Sequence, residues 1–176
     1  RFINVGIAEQ NCISVAAGLA KEGKKPYIFN IATFAILRGL EQIKVGVSIM
    51  DLPVTIVGTG TGFSYDDAGP THHLFEDIAI VRTLPNMIIN SVSDNVMSKK
   101  IAESSRDMKK ANYVRLERHI NPNIYEESTD FSKGFQVVKE GEKVCMISNG
   151  FMLWKTFELR EKILEFGINS CVLDLH

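Results

Sequence analysis

Short apolar runs alternate along this chain with longer stretches whose apolar residues recur every third or fourth position. Runs of about four to eight apolar residues, each followed by a helical pattern, are what the strands and crossover helices of a parallel sheet require. Residues 2–5, 27–31, 54–57, 87–90 and 113–116 read as strands, and residues 8–21, 34–50, 75–84 and 95–109 as helices. Ile36, Leu40, Ile43 and Val47 make one face of the second helix. Gly23 and the Lys24-Lys25-Pro26 stretch end the first. The expected fold class is α/β, a doubly wound, mostly parallel sheet.

With 176 residues, 45% of them hydrophobic and 23% charged, there is material for one sizeable core and the start of a second. The boundary is expected at residues 121–133, where Pro122 and a run of polar residues break both periodicities. A first domain over residues 1–120 is thus followed by a linker. Beyond it, residues 134–138 and 143–147 flank a Glu140-Gly141 turn, residues 153–166 are helical, and residues 170–175 form another strand. These open a second α/β domain that is incomplete at His176, so a continuation of the chain or a partner is expected to complete it. The first residue is Arg1, and the true start is expected upstream.

A net charge of -1, with acids and bases interspersed, gives no reason to expect nucleic acid or an anionic membrane as partner. No unbroken apolar stretch is long enough to span a membrane, and no basic region precedes an apolar signal core. Cys12, Cys145 and Cys171 are odd in number, lie in apolar runs and lack metal-ligand spacing, so the reducing cytoplasm is the expected compartment.

Two stretches carry candidate chemistry. Gly6-Ile7-Ala8-Glu9-Gln10 puts a carboxylate in a first helical turn after an expected strand, and ligands of open parallel sheets lie beyond the carboxyl ends of strands. Glu9 either faces such a ligand or simply offsets the helix dipole. The second stretch, residues 58–73, holds three alternating glycines, Asp66, Asp67, His72 and His73 without periodicity. It suits an active-site loop in which backbone approaches a ligand and the acids and histidines move protons, or else a long solvated connection. Its glycine spacing lacks the third glycine of a dinucleotide fingerprint. Adjacent histidines cannot both face one ion, so no metal ligands are expected here.

Residues 4–11, Ala17-Gly18-Leu19, Gly23, Ala32-Thr33-Phe34, Glu41-Gln42, Gly69-Pro70-Thr71-His72 and Leu84-Pro85-Asn86-Met87 together resemble the pyrimidine-binding domain of transketolase-type thiamine diphosphate enzymes. Residues 1–120 resemble that domain without its first strand-helix unit, and residues 134–176 the start of the family's C-terminal domain. The resemblance implies that Glu9 is the catalytic carboxylate that keeps the cofactor's pyrimidine ring nitrogen protonated, so that the aminopyrimidine can take a proton from the thiazolium carbon. It places Phe34 at the pyrimidine, where plain core packing is the alternative, with Ile7 beside it. Arg38 resembles an arginine of deoxyxylulose-phosphate synthases that lies near cofactor or substrate. His72 corresponds to the histidine that faces the substrate's oxygens and is counted as catalytic. Asp67, Thr71 and His73 join it as expected substrate contacts.

Departures bear on the sugar-reading side. Transketolases carry Asp where this chain has Ala68, and a Thr-His-Asp triplet where it has Thr59-Gly60-Thr61. Leu37 stands at a further ring position, and the Asp-Arg pair of deoxyxylulose-phosphate synthases is absent. The Gly-Asp-Gly motif and downstream Asn that hold diphosphate and magnesium in this family do not occur in these 176 residues. Thiamine diphosphate and Mg are therefore expected to be shared with a diphosphate-binding domain on a partner subunit or upstream region, in a homodimer or heterotetramer. The implied activity is a transferase of carbohydrate metabolism, a transketolase or transketolase-like subunit that moves a two-carbon ketol unit between sugar phosphates or activated sugars. Alternatives are a deoxyxylulose-phosphate synthase, the beta subunit of a 2-oxo acid dehydrogenase, or a non-catalytic assembly module. The presence of both Glu9 and His72 argues against the last.

Overall fold

Extended apolar runs become strands where a neighbour satisfies their backbone donors and acceptors. In the computed structural model, which describes residues 1–119 and 121–176, four runs find such neighbours. Strands β1 (Tyr27–Ile31), β2 (Thr55–Thr59), β3 (Met87–Ser91) and β4 (Ala111–Leu116) form one sheet in the order β1-β2-β4-β3. β2 pairs in parallel with both β1 and β4. That register sets Ile28, Ile56 and Tyr113 side by side, and all three are buried. Helix α1 (Glu9–Lys21) packs Ile13, Ala16, Ala17 and Ala20 into the same core. It stops where Gly23, at φ 77°, lets the Gly23 and Lys24 N–H groups close on the carbonyls of Ala20 and Leu19.

Two expectations change. Residues 2–5 form no strand: β1 is the edge of the sheet, no neighbour supplies their hydrogen bonds, and Phe2 is 88% exposed. Residues 34–50 are not one regular helix but a π-helical turn Phe34–Arg38, a short α2 (Leu40–Gln42) and a second π-helical turn Ile43–Ser48. The break falls at Gly39, where a Cβ would lie 2.1 Å from Ile13 Cδ1 and 2.9 Å from the Ala35 carbonyl oxygen. Close packing on α1 thus sets the irregularity, while Ile36, Ile43 and Val47 still reach the core. The remaining helix here is α3 (Asp77–Val81).

The chain divides into two compact units. One comprises Arg1–Asn90 with Ser104–Arg118, the other Ser91–Glu103 with His119–His176. The second unit holds most of α4 (Asn95–Ser105), then β5 (Phe135–Lys139), β6 (Val144–Ser148), α5 (Met152–Leu164) and β7 (Ser170–Leu175). Its sheet runs β5-β7-β6, with β7 antiparallel to β5 and parallel to β6. The strands that flank Glu140-Gly141 therefore do not pair with each other. The turn crosses the start of β7 so closely that a Cβ on Gly141 would lie 2.1 Å from the Ser170 carbonyl carbon. Asp94 ties residues 121–133 to this unit: its Oδ2 accepts the Ile124 and Tyr125 N–H groups, while Oδ1 caps α4 through the Met97 N–H. Among the described residues no helix is long and apolar enough to cross a membrane.

Beneath the first sheet lies a buried charge. Asp77 is fully buried and accepts the Tyr113 hydroxyl at 2.8 Å, while Arg115 Nε and Nη2 reach its two oxygens at 2.5 and 3.3 Å. Removing one partner of a buried pair leaves the other charge uncompensated, which is expected to cost about 3–5 kcal/mol. Asp77→Ala should lower the unfolding free energy by that amount in urea titrations of the full-length protein. A loss below about 1 kcal/mol, the scale of an exposed pair, would show that the cluster does not stabilise the core.

Candidate functional site

Glu9 opens α1 and is only 7% exposed. A buried carboxylate stays charged only if hydrogen bonds or a cation replace the water it gives up. A bond from its own backbone N–H is the main influence lowering the Glu9 carboxyl below its ordinary value. Burial works against it, and the Arg38 guanidinium and the Asn30 side chain reinforce it. Arg38 Nη1 donates to Glu9 Oε2 at 2.7 Å, and Arg38 itself is 47% exposed.

The π-helical turn explains how Arg38 gets there. Closing i→i+5 bonds brings residues four apart nearly one above the other, and the Arg38 guanidinium lies 4.6 Å from the Phe34 ring centroid. Phe34 in turn meets the His72 imidazole edge-on, with centroids 5.1 Å apart. Tyr65 approaches His72 at 5.7 Å, and Arg118 lies 4.3 Å over the Tyr65 ring. A continuous string of side chains thus runs from Glu9 through Arg38, Phe34, His72 and Tyr65 to Arg118. The Thr33 hydroxyl fixes its middle by donating to the His72 carbonyl at 2.8 Å.

The loop that carries His72 is built rather than merely solvated. Gly62 and Leu74 form an antiparallel bridge, and the Thr61 and Ser64 hydroxyls donate to the two Glu117 oxygens. Thr61 is therefore buried with its hydroxyl engaged. At Gly60 a Cβ would lie 1.9 Å from the Tyr65 ring, so the position that carries His in other transketolases is left bare by the space Tyr65 takes.

Of the residues singled out from sequence, Glu9, Phe34, Arg38 and His72 come together. Thr71 is exposed, with its hydroxyl 3.0 Å from His72 Nδ1. Exposed Asp67 lies 3.7 Å from Arg118. His73 packs into a different aromatic group, 5.1 Å from Phe63 and 6.0 Å from Phe75. Ile7 is 95% exposed. Asn30, Tyr65 and Arg118 were not foreseen. For Asn30 and Arg118 the signal was position, since one ends the apolar run of β1 and the other follows β4, at the strand ends where parallel sheets gather ligands. Among the described residues no cluster of His, Cys, Asp or Glu is arranged to hold a metal ion.

Residues 1–122 match the family model described as transketolase, pyrimidine binding domain. The chain belongs to that family. One of the subunits of the apulose-4-phosphate transketolase of Phocaeicola vulgatus is 33% identical over 99% of this chain and 57% of its own length. The 1-deoxy-D-xylulose-5-phosphate synthase of Clostridium botulinum is also 33% identical, over 99% of this chain and 28% of its own length. A solved split gene transketolase, described as an inactive beta4 tetramer, superposes with a TM-score of 0.89 at 34% identity, over 99% of this chain and 56% of that one. The chain thus spans little more than half the length of the transketolase subunits it matches.

In a pyrimidine-binding domain the Glu9–Arg38 pair makes a prediction about pH. Because the folded-state value of Glu9 is lowered, its ionisation adds stability above the ordinary carboxyl value and loses it as pH falls through the lower folded value. Arg38→Met should remove part of that lowering, the backbone bond keeping the rest. Urea midpoints of the wild type and Arg38→Met should therefore differ most at neutral pH and converge in acid. A difference that does not change with pH would show that the pair makes no contribution to Glu9's ionisation.

Proposed function

We propose that this chain supplies the pyrimidine side of a thiamine diphosphate site in a transketolase-type enzyme that transfers a two-carbon ketol unit between sugars. The observation that carries this reading is the buried Glu9 carboxylate with a charged N–H donor 2.7 Å from Oε2. A protonated ring nitrogen of an aminopyrimidine is a donor of the same kind, and the Phe34 ring stands beside the place it would occupy. The residues present therefore fit the group. When bound, thiamine diphosphate supplies the electron sink for breaking and making the carbon–carbon bond next to a carbonyl.

Glu9 holds a shared proton at the ring nitrogen, and burial strengthens that charge-assisted bond. Arg38 gives up Oε2 to make room and keeps Phe34 as a partner. His72 lies beyond Phe34; with the Thr71 hydroxyl donating to Nδ1, its Nε2 carries the proton offered to a substrate oxygen. Tyr65 and Arg118 extend the site from there, with the half-exposed Arg118 guanidinium as the cation for a sugar phosphate. Asp67 lies at the same edge.

Diphosphate and magnesium are held by a second domain, since these residues carry no Gly-Asp-Gly motif. Two relatives, one of them one among several subunits of its transketolase and the other the product of a split gene, support a separate chain as its carrier in a homodimer or heterotetramer. A deoxyxylulose-phosphate synthase is the second reading, favoured by Arg38 and by the similarity to the Clostridium botulinum enzyme. Product analysis with pyruvate as donor separates the two.

In the assembled enzyme, Glu9→Gln should slow deuterium exchange at the thiazolium carbon by at least about 10²-fold, the low end for a lost acid-base group. Unchanged exchange would remove Glu9 from the mechanism. Selectivity supplies a second test, because Gly60, Thr61 and Ala68 leave out hydrogen-bonding side chains that read sugar hydroxyls, and a site discriminates strongly only where its buried donors would otherwise go unpaired. Catalytic efficiency should be lower on xylulose 5-phosphate with ribose 5-phosphate than on another ketose of a substrate panel. Efficient turnover of that pentose pair would show that Tyr65, Asp67 or residues outside these 176 have replaced the lost readers.

A further inference from the structure

Two of the three cysteines stand side by side in the second unit. The parallel register of β6 and β7 pairs Cys145 directly with Cys171, and their Sγ atoms are 3.4 Å apart. Residues in register on adjacent strands face the same side of a sheet with backbones about 4.8 Å apart, inside the roughly 4.4–6.8 Å Cα separation that a disulfide bridges. The ladder continues through Met146 with Val172 and Ile147 with Leu173. Arg160 holds the start of β7, its Nε donating to the Ser170 carbonyl at 3.1 Å and its Nη2 to Asn169 Oδ1 at 2.8 Å. The approach of the two sulfurs is therefore set by paired backbone rather than by a chance loop conformation.

Access differs between the two. Cys145 is exposed and Cys171 partly so, on a face where Ile147 and Leu175 are also open while Ser170, Val172 and Asp174 are buried on the other. Cys12, by contrast, is partly buried against the first unit's core. A bond with Cys145, then partial burial and the nearby Glu140 charge, raise the Cys171 thiol above its ordinary value, which leaves the exposed Cys145 as the first to react.

We propose that Cys145 and Cys171 form a modification site at which a small-molecule disulfide, such as oxidised glutathione, converts the dithiol into an intramolecular disulfide. The Cys145 thiolate attacks one sulfur of the small disulfide, whose S–S bond breaks; one glutathione leaves as a thiolate and the other is held on Cys145. The Cys171 thiolate then attacks Cys145 Sγ, the mixed disulfide breaks, and the second glutathione leaves. Two protein thiols are oxidised, one glutathione disulfide is reduced, and two protons pass to the two departing thiolates. Proximity makes the second step intramolecular and fast relative to attack by a further glutathione. In a reducing compartment such a pair is reversible.

The test equilibrates the full-length protein in oxidised glutathione, alkylates it after unfolding, and maps its peptides without reduction. The Cys145 and Cys171 peptides should appear joined, with the loss of two hydrogens, while Cys12 remains alkylated. In Cys145→Ser, Cys171 should stay alkylated or carry one glutathione. Oxidation of the wild-type protein in denaturing urea should abolish the preference for this pair over pairs with Cys12. Alkylation of Cys145 and Cys171 to the extent of Cys12, glutathione adducts that never resolve to the linked pair, or equal linkage in urea would each overturn the proposal.

Discussion

A carboxylate at the start of a buried helix has to be given partners, and the arrangement of the first unit follows from how Glu9 receives them. Its own backbone N–H, the Arg38 guanidinium and Asn30 replace the water it has lost. Each comes from a different kind of local structure: the first turn of α1, the π-helical turn Phe34–Arg38, and the end of β1. Arg38 can reach Oε2 because the turn is π-helical, and Gly39 lets that segment close on Ile13 of α1. The irregularity, the glycine contact and the ion pair are one packing solution.

That dependence explains what could be read from the sequence. β1, β4 and α5 were legible because hydrophobic periodicity reports burial, and burial of Ile28, Ile56, Tyr113 and Leu153 fixes where those elements lie. Residues 2–5 have the same apolar character, but a strand also needs a neighbouring edge, which composition does not encode. The broken helix over residues 34–48 was invisible for a related reason. Its apolar face keeps helical spacing, whereas the π-helical geometry is set by contact with Ile13, distant in sequence.

The site divides along the same line. Glu9, Phe34 and His72 were found because residues around them carry a family pattern, and their proximity in space agrees with it. Asn30, Tyr65 and Arg118 carry no pattern by themselves; only the fold brings them into line. Of these, Tyr65 changes the reading most. The bare Gly60 looked like the loss of a polar reader, but in space it is the price of admitting a phenol ring beside His72.

The substitution is thus an exchange of one kind of side chain for another. A tyrosine offers an apolar face and a polar tip, and here the face is already occupied by the Arg118 guanidinium. Arg118 also donates to the Ser64 carbonyl at 3.0 Å, and Ser64 is anchored on Glu117. The charge that faces His72 from this side is therefore held by a ring, a carbonyl and a nearby carboxylate, Asp67, rather than by a single ion pair. An arginine fixed through its face and one edge keeps other N–H groups in a planar fork, the geometry suited to an anionic oxygen cluster. The Asp67 carboxylate, at 3.7 Å and largely exposed, is the weakest of those contacts and the one an incoming phosphate would displace first.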